Sequence, residues 1–194
     1  FKRAPGFMDV VAYTGTGSNN AVNHNLEAAP EFVITKNRSS AGYDWVCWHS
    51  GLSTNNTYIA LNQGSTQNSN SNAWNNTAPT NTQFSLGNWE NNASGQSYIA
   101  YLFATLPGIS KVGSYAGSSS AVNVDCGFTN GARFVMVKKA TGSGDWVVWD
   151  TKRGIGSGND PYLKLNESQA QTTNADLIAP LSSGFTINNS GVGN

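Results

Sequence analysis

The chain repeats itself, and the repeat limits its fold more than any other feature. Tyr13-Thr-Gly15 matches Tyr115-Ala-Gly117 at an offset of 102 residues. Phe32-Val-Ile-Thr-Lys36 matches Phe134-Val-Met-Val-Lys138 at the same offset. Asp44–Trp48 reads DWVCW and Asp145–Trp149 reads DWVVW, 101 apart. Gly51-Leu52 recurs as Gly154-Ile155 at 103, and Tyr58–Asn62 as Tyr162–Asn166 at 104. Ala78-Pro79 and Phe84 recur as Ala179-Pro180 and Phe185 at 101. Matching blocks in one order, with a drifting offset, describe two copies of one unit separated by small loop insertions. The expected division is a lead-in over residues 1–10, a first unit over 11–108 and a second over 109–194.

Each copy reads as β structure. Strands are expected at Asp9–Thr14 and Lys111–Tyr115, each ending at a glycine turn, and at Phe32–Lys36 and Phe134–Lys138. In an extended DWxxW segment, Val46 and Trp48 face one way and Trp45 and Cys47 the other. Further strands are expected around Tyr58 and Tyr162 and around Phe84 and Phe185. Gln96–Leu106, QSYIAYLFATL, closes the first copy. The one helical candidate, Leu26–Glu31, contains Pro30 and reads better as a turn. The expected fold class is all-β, with two tandem sandwich-like units. The second copy has no counterpart to Ser97–Thr105, and an antiparallel sheet lacking a strand presents a pairing edge. That gap is expected to be filled from elsewhere: by Phe1–Val11, by polypeptide beyond Asn194, or by a neighbouring subunit.

The repeat also sorts the aromatic residues. Trp45, Trp48, Trp146, Trp149, Tyr58 and Tyr162 recur and are expected to be scaffold, in the core or in packing between units. Trp74 and Trp89 do not recur, and sit in the Asn-rich strings NSNSNAWNNT and SLGNWENN. A tryptophan face beside amide side chains is how many sugar sites are built. Trp74 and Trp89 are therefore the candidate glycan or partner contacts, with edge covering as the plainer explanation.

Charge narrows the partners. Lys plus Arg and Asp plus Glu number 11 each, so formal charge cancels. No basic face is visible for a phosphate backbone, so nucleic acid is not an expected partner. The longest apolar stretch, Tyr98–Leu106, is too short to span a bilayer, and no signal peptide is seen. The chain opens at Phe1 rather than Met, so upstream residues are expected to have been cut or to lie outside this sequence. Near-zero net charge suits a subunit of an assembly. Cys47 and Cys126 fall at non-equivalent places and read as reduced thiols. The six Asn-x-Ser/Thr sequons are what chance produces in so Asn-, Ser- and Thr-rich a chain.

Catalytic motifs are sparse. His24 and His49 show no zinc spacing. Gly154-Ile-Gly-Ser-Gly158 misplaces the serine of a nucleophile elbow. Glu27, Glu31, Glu90 and Glu167 are scattered in expected loops, where a glycosidase needs two facing carboxylates. Asp44 and Asp145 recur before a tryptophan, with Asp150, Asn159 and Asp160 near the second. Calcium is the sharper reading of these residues and turn capping the expected one. No catalytic residue, metal or cofactor is expected, and the chain is read as non-enzymatic.

The strings FKRAPGFMDVVAYTG, DWVxW, NDPYLKLN, WNNTAP and YIAYLFATL resemble an uncharacterised repeated β-domain of tailed-phage virion proteins, especially marine ones. The resemblance covers nearly the whole chain. It implies a tail-fibre-like or other appendage polypeptide, made in a reducing host cytoplasm and displayed on the virion surface. Partners would be other copies, other virion proteins and host-surface carbohydrate. In that family the second copy also closes with a strand, which this sequence does not reach. A capsid decoration protein of the same fold, a cell-surface lectin or filament subunit outside phage, and a polysaccharide hydrolase are the rival expectations.

Overall fold

A computed structural model describes residues 2–188. The chain divides into two compact units. The first comprises residues up to Leu61, with Gln67–Leu106 and Ser110–Gly113; the second comprises Asn62–Thr66, Pro107–Ile109 and Ser114 onward.

The first unit contains β1 (Met8–Thr14), β2 (Asn20–Asn23), β3 (Phe32–Asn37), β4 (Trp45–His49), β5 (Thr57–Ala60), β6 (Asn68–Ser69), β7 (Gln83–Leu86) and β8 (Ser97–Phe103). One sheet runs β1-β8-β3-β4-β5-β6, and β2 pairs with β7. The Tyr98, Ala100 and Leu102 positions of β8 are buried while its alternate residues are half-buried or exposed, as strand geometry requires. Core residues come from both layers: Val33, Val46, Trp48, Ala100 and Leu102 from the large sheet, Val22, Phe84 and Leu86 from the pair. That is a sandwich-like arrangement. Residues 8–10 of the expected lead-in already belong to β1. Leu26–Glu31 contains no helix, in keeping with the turn expected at Pro30.

The second unit contains β9 (Val122–Asp125), β10 (Phe134–Lys138), β11 (Trp146–Asp150), β12 (Leu163–Lys164), β13 (Ile178–Leu181) and β14 (Gly184–Ile187). Two three-stranded sheets, β10-β11-β12 and β13-β14-β9, supply a second core. Val135, Val137, Val147 and Trp149 meet Ile178, Phe185 and Ile187 there. β9, β10, β11, β12 and β14 stand where β2, β3, β4, β5 and β7 stand in the first unit. The β2/β9 strands were not expected from sequence; their registers place Val22 opposite Phe84 and Val124 opposite Phe185.

Two expectations are corrected. Lys111–Tyr115 forms no strand. Its match in the first unit, β1, pairs only with β8, and no described strand of the second unit stands in for β8. Of the Phe1–Val11 segment, Met8–Val11 is zipped to β8 of the first unit and so is not the strand that completes the second; Phe1 lies outside the described residues.

The DWxxW segments alternate as expected. Val46 and Trp48, and likewise Val147 and Trp149, enter the cores. Trp45 is half-buried outside the core cluster, with the Lys36 ammonium 5.7 Å from its ring centre. Trp146 is buried on the strand face opposite the core cluster. Tyr58 and Tyr162 pack at the core margins. Both cysteines are free thiols, and burial pushes the Cys47 thiol far above its ordinary range.

Candidate functional site

The residues that separate the first unit from the second gather around the Gly87–Asn92 loop. Its sharp path needs Gly87: a Cβ there would lie 2.4 Å from the Asn72 carbonyl oxygen. A 3₁₀ turn follows over Glu90–Asn92. Asn91 and Asn92 are buried and act as internal struts. Asn92 Nδ2 donates to the carbonyls of Gly87 (2.8 Å) and Ser18 (2.7 Å), and its Oδ1 accepts the Thr16 N–H at 2.9 Å. Asn91 Nδ2 donates to the Ala73 carbonyl at 2.8 Å. Tyr98 Oη donates to the Glu90 carbonyl at 2.7 Å and accepts from the Ala93 N–H at 3.0 Å. The Tyr13 and Tyr98 rings stack 5.0 Å apart behind it, and Tyr13 Oη reaches the Asn91 carbonyl at 2.7 Å. These bonds hold the loop in one conformation, although Asn91 Oδ1 is buried without a hydrogen-bond partner among the described residues.

Trp89, the residue before the turn, is half-buried with its ring centre 4.5 Å from that of Tyr58 and tilted 55° to it. Its neighbour Glu90 has one carboxylate oxygen, Oε1, buried without a hydrogen-bond partner among the described residues. Burial, and next the charge of Asp44, raise the Glu90 pKa; the Asp44 N–H and the Lys36 charge oppose the rise. Burial also raises the Tyr58 hydroxyl, with Glu90 and Asp44 adding to it. Aromatic faces, a phenol and two carboxylates thus share one surface, with the amides of Asn91 and Asn92 buried in the loop that carries it. Such a surface can stack on an apolar sugar face and hydrogen-bond its hydroxyls.

Trp74 must be corrected. It is 1% exposed and packed in the first core, so it presents no face to a ligand. Its Asn-rich flanks form turns that tuck the indole inward, one closed by the Thr77 N–H on the Trp74 carbonyl at 3.0 Å. The pairing of Glu90 with Asp44 went unforeseen; they lie 46 residues apart and nothing local links them.

The recurring aspartate is put to different use in the second unit. Asp145 takes the Lys164 ammonium at 2.6 Å and the Asn166 amide at 2.8 Å, and these two, Asn166 first, lower its pKa. Ala60 stands at the Lys164 position in the first unit and brings no charge to Asp44. Asp150 accepts the Lys152 and Arg153 N–H groups at 2.9 Å each, and buried Asp160 accepts those of Gly156 (2.9 Å) and Ile178 (3.3 Å). Asp150 thus caps a turn, and Asp160 ties its loop to β13. The histidines are local braces too: His24 bridges the Leu26 N–H and the Thr80 carbonyl, and His49 accepts the Gly51 N–H. Among the described residues no three His, Cys, Asp or Glu side chains gather to hold a metal.

Glu90→Gln tests the carboxylate. A folded pKa above the ordinary value means that the native chain binds more protons than the unfolded one in between, so stability falls as pH rises through that window. The variant is expected to be about 1 kcal/mol more stable at pH 7. The gain should disappear as pH falls through the raised pKa, read by thermal unfolding at pH 7 and pH 4.

These features define an all-β chain of two related sandwich-like units, with an aromatic–carboxylate surface on the first. The chain belongs to the family described as a domain of unknown function, DUF7483, whose model matches residues 2–194. No curated protein and no solved structure matches it.

Proposed function

We propose that this chain is a non-enzymatic structural segment of a phage virion appendage, fibre- or adhesin-like, which touches host-surface carbohydrate through Trp89. The observation that carries the reading is the Trp89–Tyr58 pair, specific to one repeat and braced by buried Asn91 and Asn92. Low charge, free thiols and the resemblance of the repeat blocks to virion β-domains support it. The subunit acts as an oligomer with other virion proteins.

On a glycan array, Trp89→Ala is expected to lose at least about tenfold in affinity, the worth of one stacking contact. Tyr58→Phe should lose less. Equal binding by wild type and Trp89→Ala removes the carbohydrate role. Mass spectrometry and antibody labelling of intact particles test placement. Labelling on the head shell favours a decoration protein, and labelling on a cell surface favours a lectin or filament subunit.

The proximity of Glu90 to Asp44 favours one further reading, glycan hydrolysis with Glu90 as the acid. Release of reducing sugar that Glu90→Gln abolishes, with binding retained, would replace the non-enzymatic reading.

A further inference from the structure

Matching corners of the two units carry different charge. In the first unit Phe32 pairs with His49, and the Ser50 N–H donates to the Glu31 carbonyl at 2.8 Å. The Glu31 carboxylate there accepts the Thr105 N–H at 2.5 Å. In the second unit Phe134 pairs with Asp150, and the Thr151 N–H donates to the Arg133 carbonyl at 3.1 Å. Arg133 thus stands where Glu31 stands. A guanidinium has donors only, so it cannot take the backbone N–H that Glu31 takes. The turn that follows is also longer. Ser50 alone separates His49 from Gly51, whereas Thr151, Lys152 and Arg153 separate Asp150 from Gly154. The longer turn brings two cations to the corner that Arg133 already occupies.

Arg133, Asp150, Thr151, Lys152 and Arg153 line a cleft of about 490 Å³. Its carboxylate is engaged from within. Asp150 Oδ1 accepts the Lys152 and Arg153 N–H groups at 2.9 Å each, and Oδ2 pairs with the Arg153 guanidinium. The Gly154 N–H closes the turn on the Asp150 carbonyl at 3.0 Å, so the turn is held in shape without a ligand. Among the described residues, neither the Arg133 guanidinium nor the Lys152 ammonium has an ion-pair partner. In a chain whose formal charges cancel, this cleft keeps two uncompensated cations, with the Thr151 hydroxyl beside them. Charge so confined suits one anionic group and not a run of backbone phosphates.

We infer that this cleft is a binding site for one tetrahedral oxyanion, a phosphate or sulfate group. Arginine forks match such oxygens two at a time, lysine adds a point charge, and a hydroxyl adds a further donor. The volume falls in the range of roughly 300–1,000 Å³ typical of small-molecule clefts, so an ester of sugar size has room. Arg133 and Lys152 are exposed, so binding weakens as salt rises. The inference does not rest on the carbohydrate reading of Trp89, which lies in the first unit, and each can fail without the other.

Isothermal titration calorimetry of the full chain at low salt tests it with inorganic phosphate, inorganic sulfate, glucose 6-phosphate and glucose. At least one of the three anions is expected to bind, and glucose is not. Tighter binding of glucose 6-phosphate than of inorganic phosphate supports the site as one for an ester; equal binding supports it as one for the free ion. Arg133→Gln and Lys152→Gln are each expected to weaken binding at least about tenfold, the worth of one charge-assisted hydrogen bond. Thermal unfolding should be unchanged in both, because these side chains are exposed. Arg133→Glu, which places the first unit's residue at that position, should abolish binding. Lys111→Gln, at an exposed cation of the first unit, should leave it unaltered. No heat of binding from any of the three anions overturns the inference. So does undiminished binding in Arg133→Gln and Lys152→Gln, or an equal loss in Lys111→Gln.

Discussion

Trp149→Ala is expected to unfold the second unit under conditions where the first stays folded, at a cost of about 3–5 kcal/mol. Trp149 is fully buried, with Tyr162 at 6.0 Å and the β13–β14 side chains closing over it. Domain stabilities of about 5–15 kcal/mol leave little after such a loss. The equivalent Trp48→Ala removes a similar payload from a larger core. Among the described residues, twelve form the buried cluster there against eight in the second unit, so the first unit should be weakened but remain folded. Amide exchange resolved by segment reads this directly. Trp149→Phe should recover most of the loss, because the indole N–H it removes is buried without a partner among the described residues. Loss of protection in both units together in Trp149→Ala would mean that they unfold as one.

Asp9→Ala is expected to destabilise the first unit by about 3 kcal/mol, the cost of leaving the Val10 and Asn25 N–H groups without their acceptor. The Asp9 carboxylate is buried beneath the entry to β1, where it accepts the Val10 and Asn25 N–H groups at 2.8 Å each and pairs with Arg3 at 2.5 Å. Burial acts first and would raise its pKa. The Asn25 and Val10 N–H groups, with Arg3, outweigh burial and hold it below the ordinary 3.8. The unfolded chain therefore takes up protons first as pH drops. The stability due to Asp9 is complete above the ordinary carboxylate range and is lost as pH falls through the folded pKa. Acid unfolding should steepen in that range for the wild type and lose that component in Asp9→Ala. Arg3 is more than half exposed, so Arg3→Ala should cost far less.

Local alternation and the repeat made much of the scaffold legible. The phase of Val46 and Trp48 followed from period two, and β10 and β11 from their matches to β3 and β4. β2 and β9 were hidden because the string Ala-Val-Asn recurs at residues 21–23 and 121–123, an offset of 100, while the ladders pair their strands at 102. Lys111–Tyr115 has the strand pattern but not the ladder, and a strand exists only with a partner. At the candidate site, Trp89 was legible as a residue of one repeat alone. Trp74 was misread because polar neighbours in tight turns say nothing about where the indole points. Glu90 and Asp44 meet through tertiary structure alone.

The order of strands has a consequence for synthesis. β1 emerges from the ribosome first, yet every rung of its ladder waits for β8: Met8 pairs with Phe103, 95 residues later. The same late strand seals β3, so both remain exposed until most of the first unit has been translated. Such non-local closure slows folding and lengthens the interval in which nascent chains can pair with one another. A chain truncated before Ser97 should accumulate as aggregate, while one extended through Leu106 should release a folded first unit.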